Sequence, residues 1–185
     1  SNLLPHLLAT TATHHGDQVV DHLLSNYSRS AIYVAMIRAR SLGRVHRTPF
    51  GRDATVRYRF DPRDLSAVHT ALRRSAQVLF AAGASELYMP VSKSGSVRSV
   101  GESEVVLKDL RPSDLEIVTV HAMSSCAMGP NRDPSVVSPD GSLWGMSNVT
   151  VADASVLPTT TGESPQGTIM ALASEVISRH LADYS

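Results

Sequence analysis

Residues 54–83 read ATVRYRFDPRDLSAVHTALRRSAQVLFAAG and contain the signals of a strand followed by a long helix. Over residues 54–60 apolar and basic side chains alternate, which predicts a strand with one apolar side. Asp61 and Pro62 then predict the start of a helix, because aspartate favours the N-cap and proline the first helical position. Gly83 stands where a helix commonly ends. The helix has a predicted inner face at helical spacing, which comprises Leu65, Val68, Leu72, Ala76 and Leu79.

The flanking segments extend this mixed pattern in both directions. Residues 17–27 predict an amphipathic helix, and the apolar run at residues 31–38 predicts a buried strand. Residues 90–104 are rich in serine and glycine, which is typical of a long surface loop. Residues 165–182 predict a last helix with Ser164 as its N-cap. Its apolar face comprises Ile169, Leu172, Ala173, Val176, Ile177 and Leu181.

Residues 129–147 contain glycine, proline, asparagine and aspartate throughout, which predicts mostly turns. Residues 111–118 predict a short helix, and residues 148–152 predict a strand. A strand pair is expected around residues 136–137 and 143–144. Two long helices together with several alternating strands predict an α+β fold.

Composition excludes several classes of protein. The chain has 185 residues, of which 42% are hydrophobic, enough for one domain with a core. It carries 17 basic and 17 acidic residues without a basic stripe, so we expect no nucleic-acid partner. No apolar run is long enough for a membrane span, and residues 1–5 do not resemble a signal peptide. The single cysteine, Cys126, excludes a disulfide framework and favours the reducing cytoplasm as location.

Three blocks of sequence carry a resemblance to a known family. They are residues 121–129 (HAMSSCAMG), residues 148–158 (NVTVADASVLP) and residues 162–173 (GESPQGTIMALA). In this order and at these separations they resemble the C-terminal signature of glucose–methanol–choline (GMC) oxidoreductases. The stretch Thr55–Leu87 is similar to the branch of that family that includes long-chain alcohol oxidases. The resemblance covers about residues 3–183.

The resemblance implies a two-part flavoenzyme of which this chain is the substrate side. Residues 1–147 would form the substrate domain, an antiparallel sheet backed by helices. Residues 148–185 would supply a strand and a helix to an FAD-binding domain whose main segment is absent, since no Gly-x-Gly-x-x-Gly follows a strand here. The expected partners are that segment or subunit and a small-molecule alcohol. Alone, the chain is expected to bind FAD weakly or not at all. It is also expected either to self-associate or to gain stability when the FAD-containing segment is supplied.

Two residues match catalytic positions of the family. His121 matches the base that takes the hydroxyl proton while the flavin takes a hydride, and an imidazole titrates near operating pH. The alternative is a hydrogen-bonded structural histidine. Ser164 aligns with the second polar catalytic residue, which is asparagine or histidine in many relatives. A serine has a shorter reach, and its alternative role is plain helix capping. Ala127 stands where the family frequently has arginine.

The resemblance also implies flavin contacts. Asp153 would lie near the sugar-like chain of the flavin, and Ala154 beside it is also expected to contact the cofactor. Pro165, Gln166 and Thr168 would lie beside its ring, with the positive end of their helix towards the pyrimidine part. The alternatives are a turn residue for Asp153 and a helix start for Pro165.

Other sites are possible in principle. Cys126 could be a nucleophile, but a buried small apolar residue is the commoner role of such a cysteine. The histidines His14, His15 and His22 have no metal-site spacing, so no metal is predicted. A hydrolase using His121 and Asp153 would need a Gly-x-Ser-x-Gly elbow, which is absent. A binding module without redox chemistry stays the main alternative, and a glycine-rich phosphate loop encoded upstream or in a neighbouring gene would argue against it.

Overall fold

The computed structural model describes residues 12, 15–48, 53–92, 94–119, 121–146 and 148–182. Its helices and strands, in chain order, are α1 (Asp17–Ser25), β1 (Leu42–Arg47), β2 (Ala54–Arg59), α2 (Pro62–Ala81), β3 (Leu87–Tyr88), β4 (Ser96–Val97), α3 (Val100–Leu107) and α4 (Gln166–Ala182). Short 3-10 helices span Tyr27–Arg29, Pro112–Asp114 and Ala154–Val156. Helices with two small antiparallel sheets are consistent with the predicted α+β class.

The chain divides into two compact units, one formed by residues 1–37 and 62–118 and the other by residues 38–61 and 119–185. This division follows contacts within the chain. The predicted boundary after residue 147 concerns the domains of a complete flavoenzyme, and it stays a prediction.

The first unit is organised around α2, which forms as the sequence predicts. The helix starts at Pro62, and Gly83 follows its end with a φ of 95°. Its predicted inner face is buried at Leu72 and Ala76. The core of the unit comprises Leu72, Met89, Val91, Val97 and Leu107, with Val68, Phe80, Leu87, Val106, Leu110 and Leu115 packed around it.

The predicted loop at residues 90–104 is wrong. This segment contributes β4, which pairs with β3, and then most of α3. Ser99 caps α3 by accepting a hydrogen bond from the Glu102 N–H at 3.1 Å, and the Glu102 carboxylate accepts one from the Arg98 N–H at 2.9 Å. A serine followed three residues later by glutamate is a helix-start signal that the serine-rich composition concealed.

The predicted buried strand at residues 31–38 is also wrong. The segment has no regular secondary structure, and Tyr33, Val34 and Met36 are exposed. An apolar run becomes a strand only where another strand offers its backbone groups, and none of the described strands pairs with it.

The smaller predicted elements form only in part. The helix expected at residues 111–118 is the single 3-10 turn Pro112–Asp114. The strand pair expected near residue 137 is one antiparallel bridge, between Val137 and Leu143. The strand expected at residues 148–152 is likewise reduced to a bridge between Thr150 and Ser142.

In the second unit, β1 and β2 form an antiparallel hairpin whose residues are all exposed. The strand predicted at residues 54–60 is therefore confirmed. Val45 faces Val56 across the hairpin, and a side chain at Gly43 would meet the ring of Tyr58, so these residues share one apolar face. Nothing in the described part of the chain buries that face.

The last helix, α4, follows the predicted span but begins at Gln166, one residue later than predicted. Val176 on its apolar face is 1% exposed, whereas Leu181 on the same predicted face is 63% exposed. Val176 and the buried Pro165 that precedes the helix therefore help to anchor it in its unit, as does a hydrogen bond between Thr150 Oγ1 and His180 Nδ1 at 3.1 Å.

Candidate functional site

The histidine-containing segment 121–129 is bound to the segment 153–157, which follows in the sequence by about thirty residues. Three hydrogen bonds join the two: Ser124 Oγ donates to the Leu157 carbonyl at 2.9 Å, the Cys126 N–H to the Ser155 carbonyl at 3.1 Å, and the Met128 N–H to the Val156 carbonyl at 2.9 Å. The first two of the three sequence blocks therefore lie side by side in one unit.

His121 is half-buried at the start of this segment. Its side chain has no hydrogen-bond or ion-pair partner among the residues that the structure describes. Three residues further on, Ser124 has a φ of 67°, in the left-handed region that non-glycine residues rarely adopt. The backbone thus turns sharply between the imidazole and the hydrogen bonds that hold the rest of the segment.

Asp153 caps the 3-10 turn Ala154–Val156. Its Oδ1 accepts a hydrogen bond from the Ser155 N–H at 2.8 Å. Hydrogen bonds from Ser155 lower the pKa of the exposed Asp153 carboxyl below its usual value, and the bond from the Ser155 hydroxyl has a larger effect than the bond from this N–H. The described contacts of Asp153 are those of a turn residue, and Ala154 lies half-buried in the same turn. The predicted flavin contact of both residues stays a prediction.

The start of α4 contains the other predicted site residues. Pro165 is buried, and its carbonyl accepts the first helical hydrogen bond, from the Ile169 N–H at 2.8 Å. Ser164 is exposed, and its hydroxyl has no hydrogen-bond partner within the described ranges, so the predicted capping bond is not formed. Gln166 and Thr168 are exposed as well.

The loop that leads into α4 is fixed by a close backbone approach at Gly162. This glycine has a φ of 77°, and a Cβ there would lie 2.9 Å from the Cβ of Arg38. Nearby, the Thr160 hydroxyl donates to the Ala39 carbonyl at 2.9 Å. The entry to α4 therefore depends on residues more than a hundred positions earlier in the chain.

A second close approach fixes the other side of α4. Gly141, at a φ of 86°, lies so near the helix that a Cβ there would be 2.4 Å from Val176 Cγ1. The turn that presents this glycine is closed by Asp140, whose carboxylate accepts hydrogen bonds from the hydroxyls of Ser138 and Ser142. These hydrogen bonds lower the pKa of the Asp140 carboxyl, and the bond from Ser138 has the larger effect.

The buried Ser135 lies against Gly129, the last residue of the histidine-containing segment. Ser135 is 8% exposed, and its hydroxyl accepts a hydrogen bond from the indole N–H of Trp144 at 2.9 Å. A Cβ at Gly129 would approach the Cβ of Ser135 to 2.9 Å. Sequence reasoning missed Ser135 and Gly141, because neither lies in a residue pattern that differs from an ordinary turn.

The structure adds little support for a nucleophilic cysteine or for a metal site at the histidines. Cys126 is half-buried with a free thiol. His14 lies outside the described residues, His15 stacks edge-on against Tyr88 at 5.7 Å, and His22 lies 3.6 Å from Glu86. Within the described ranges no group of three or more metal-ligating side chains could hold an ion.

Two open cavities lie in the first unit. One has a volume of about 480 Å³ and lies between the start of α2 and the end of α3; the other, of about 610 Å³, lies beside residues 108–114. Neither contains a predicted site residue.

Comparison with known proteins assigns the family. The model of the GMC oxidoreductase family matches residues 39–173, which include His121, Asp153 and the start of α4. The chain belongs to the GMC oxidoreductase family. The resemblance that the three sequence blocks carry is therefore confirmed.

Relatives cover most of this chain, although the chain covers only a small part of each of them. An uncharacterised GMC-type oxidoreductase of Sinorhizobium fredii is 32% identical over 96% of the chain, which spans 34% of that relative. An uncharacterised GMC-type oxidoreductase of Mycobacterium tuberculosis is 34% identical over 82% of the chain and 24% of its own length. A long-chain-alcohol oxidase of Arabidopsis thaliana is 29% identical over 80% of the chain and 21% of its own length.

No solved structure is significantly similar to this chain. In the part of the chain that the structure describes, every helix is too short or too polar to cross a bilayer.

Proposed function

We propose that this chain is the substrate-side part of an FAD-dependent enzyme that oxidises a CH–OH group, with His121 as the catalytic base. The observation that carries the proposal is the side-by-side arrangement of the His121 and Asp153 segments within one unit of a GMC oxidoreductase chain. The long-chain-alcohol oxidases among the relatives support an alcohol as substrate.

The proton chemistry of this proposal rests on His121. Its imidazole is half-buried and has no partner among the described residues, so a ring nitrogen is available to accept the hydroxyl proton of the alcohol. Ser164 has an equally uncommitted hydroxyl, which would hydrogen-bond the substrate oxygen. When bound, the flavin supplies the hydride acceptor.

The described residues fit a flavin at the start of α4. Gln166 and Thr168 are exposed, and a side chain at Gly167 would meet nothing within 4 Å, so the first turn of the helix is open to a ligand. Its free N–H groups favour negative charge on a neighbouring ring. In this proposal Pro165, Gln166 and Thr168 lie beside the ring, Asp153 lies near the sugar-like chain, and Ala154 also contacts the cofactor.

The remaining FAD site belongs, in this proposal, to a further segment or subunit of the enzyme. Residues 1–147 then act as the substrate domain, and residues 148–185 complete the FAD-binding domain. Two observations support this view: the relatives are three to five times as long as the matched region, and the apolar face formed by Val45, Val56 and Tyr58 is exposed. Hairpins of two strands are marginal without a covered face. The single cysteine, Cys126, favours the cytoplasm as the compartment.

Replacement of His121 tests the proposed base. In the complete flavin-loaded enzyme, we expect His121→Ala to slow reduction of the flavin by alcohol about a hundredfold or more, the usual scale for a general base. Stopped-flow absorbance measures this rate. His69→Ala is the matched control, since His69 is also half-buried but lies on α2. A His121→Ala enzyme that reduces its flavin at the wild-type rate would refute the assignment.

Two replacements of Ser164 test its proposed catalytic contact. Ser164→Ala removes the hydroxyl and is expected to lower turnover without a loss of melting temperature, because the structure shows no capping bond to lose. Ser164→Asn restores a polar group with a longer reach and is expected to retain or raise turnover. Full activity of Ser164→Ala would show that the hydroxyl takes no part in the reaction.

The chain by itself provides a further test. Purified alone, residues 1–185 are expected to bind FAD weakly or not at all and to oxidise no alcohol, because a phosphate-binding loop supplies much of FAD affinity. An absorption spectrum with added FAD measures binding, and light scattering measures self-association. A yellow monomer that reduces its flavin with an alcohol would contradict the proposed division of the enzyme. A complete enzyme that binds FAD but reacts with no alcohol would favour the alternative, a non-catalytic binding module.

A further inference from the structure

We infer that Ser124 is a positioning residue, whose hydrogen bond to Leu157 sets the direction in which His121 projects. The inference rests on the proposed function for the role of His121. Ser124 follows the histidine by three residues, has a φ of 67°, and donates from Oγ to the Leu157 carbonyl at 2.9 Å. This bond joins positions 33 residues apart in the chain.

The backbone conformation of Ser124 needs an explanation. In the left-handed region the Cβ of an L-residue crowds its own carbonyl, so the conformation persists only where the surroundings stabilise it. Asp109 is the other described non-glycine residue with a positive φ, and it directly follows the C-cap residue of α3, where this conformation is routine. Ser124 follows no helix. The observed stabilising contact at Ser124 is its own hydroxyl on Leu157.

The position of this contact decides what it controls. The Cys126 and Met128 N–H groups hold the second half of the segment to residues 155–156. Of the hydrogen bonds that hold this segment, the one from the Ser124 side chain lies nearest in sequence to His121. The imidazole itself has no partner among the described residues. The direction of the imidazole therefore follows from the turn at Ser124.

A base transfers a proton efficiently only when its nitrogen lies within hydrogen-bond reach of the hydroxyl. Misplacement by about 1 Å can cost about a hundredfold in rate. Loss of the Ser124 hydrogen bond should therefore lower kcat while it leaves KM almost unchanged, since the contacts that bind the alcohol are not removed.

Two replacements separate the hydrogen bond from the backbone strain. Ser124→Gly removes the hydroxyl and also relieves the strain, because glycine adopts positive φ freely. Ser124→Ala removes the hydroxyl and keeps the strain. Ser125→Ala is the matched control, since the neighbouring Ser125 is exposed and its hydroxyl has no partner in the described part of the chain.

The experiment uses the complete flavin-loaded enzyme with a primary alcohol as substrate, and measures flavin reduction, KM and melting temperature. We expect Ser124→Gly to reduce the flavin about ten- to a hundredfold more slowly at unchanged KM and near-wild-type melting temperature. Ser124→Ala should show the same slowing with a lower melting temperature, and Ser125→Ala should match the wild type in all three.

His121→Ala, measured in the same series, separates the two proposals. If His121→Ala is slow and Ser124→Gly keeps the wild-type kcat, the positioning role is wrong and the proposed base stands. If His121→Ala keeps the wild-type rate, the proposed function itself is wrong. A Ser124→Gly enzyme that changes KM alone would also overturn the inference, because it would place Ser124 in substrate binding.

Discussion

A replacement of Gly141 by alanine tests how the turn at residues 138–142 is seated on α4. Gly141 has a φ of 86°, and the added Cβ would lie 2.4 Å from Val176 Cγ1 and 3.2 Å from the Val151 carbonyl oxygen. Val176 is 1% exposed and cannot swing into solvent. Either the turn moves away from the helix, or the helix shifts in its unit.

The expected cost has two parts. An L-residue in the left-handed region costs about 1–2 kcal/mol. Forcing extra volume into a packed site costs about 1–3 kcal/mol. Gly141→Ala should therefore lower the free energy of unfolding by about 2–5 kcal/mol, a large share of the total for a domain of this size.

Gly145→Ala is the matched control for this change. Gly145 has a φ of 85°, nearly that of Gly141, but its added Cβ would meet only the end of the Arg132 side chain, at 3.9 Å. Gly145→Ala should lower the free energy of unfolding by about 1–2 kcal/mol, which is the cost of the backbone strain alone. Urea unfolding followed by the fluorescence of Trp144 measures both variants, because the single tryptophan lies in the same unit.

Two results would refute this reasoning. If Gly141→Ala lowers the free energy of unfolding no more than Gly145→Ala does, the turn is not packed closely against α4. If Val176→Ala, which removes the opposing methyl groups, fails to recover about 1 kcal/mol of the Gly141→Ala loss in a double-mutant cycle, the contact with Val176 is not the cause.

Two further predictions concern the core of the first unit and the acid stability of the second. Leu107 is 1% exposed in the core, so Leu107→Ala should lower the free energy of unfolding by about 2–5 kcal/mol. Val105 on the same helix is 74% exposed, so Val105→Ala should change it by about 0.5 kcal/mol or less. Thermal unfolding of both variants measures the difference. Because the pKa of Asp153 is lowered in the folded chain, its contribution to stability is present above the unfolded value and is lost as pH falls through the folded one. Between pH 5 and pH 3 the wild type should lose more stability than Asp153→Asn, and equal losses in urea unfolding at the two pH values would contradict this.

Local sequence signals were sufficient for the long helices. Pro62 and Gly83 mark the two ends of α2, and the apolar spacing between them selects the face that is buried at Leu72 and Ala76. These signals act within a few residues, so they can be interpreted without knowledge of the rest of the chain. The three blocks that indicated the GMC family are likewise visible in the sequence alone, through their order and separations, and the family comparison confirms that family.

Strands were predicted less well, for a physical reason. Residues 31–38 have strand-like composition but no paired backbone, and the residues around Thr150 form only a bridge. A strand needs hydrogen bonds from another segment, which its own sequence does not specify. The capping signal of Ser99 and Glu102 was local, by contrast, and could have been recognised.

The sequence by itself determined the family and the two long helices, and the candidate site residues are its predictions. Only the tertiary structure decided the contacts that hold the segments around them, which are those of Ser124 with Leu157, Ser135 with Trp144, and Gly141 with Val176. Each of these contacts joins residues that are between nine and thirty-five positions apart in the chain. Such contacts depend on chain folding at that distance, and so no local pattern of residue types reveals them.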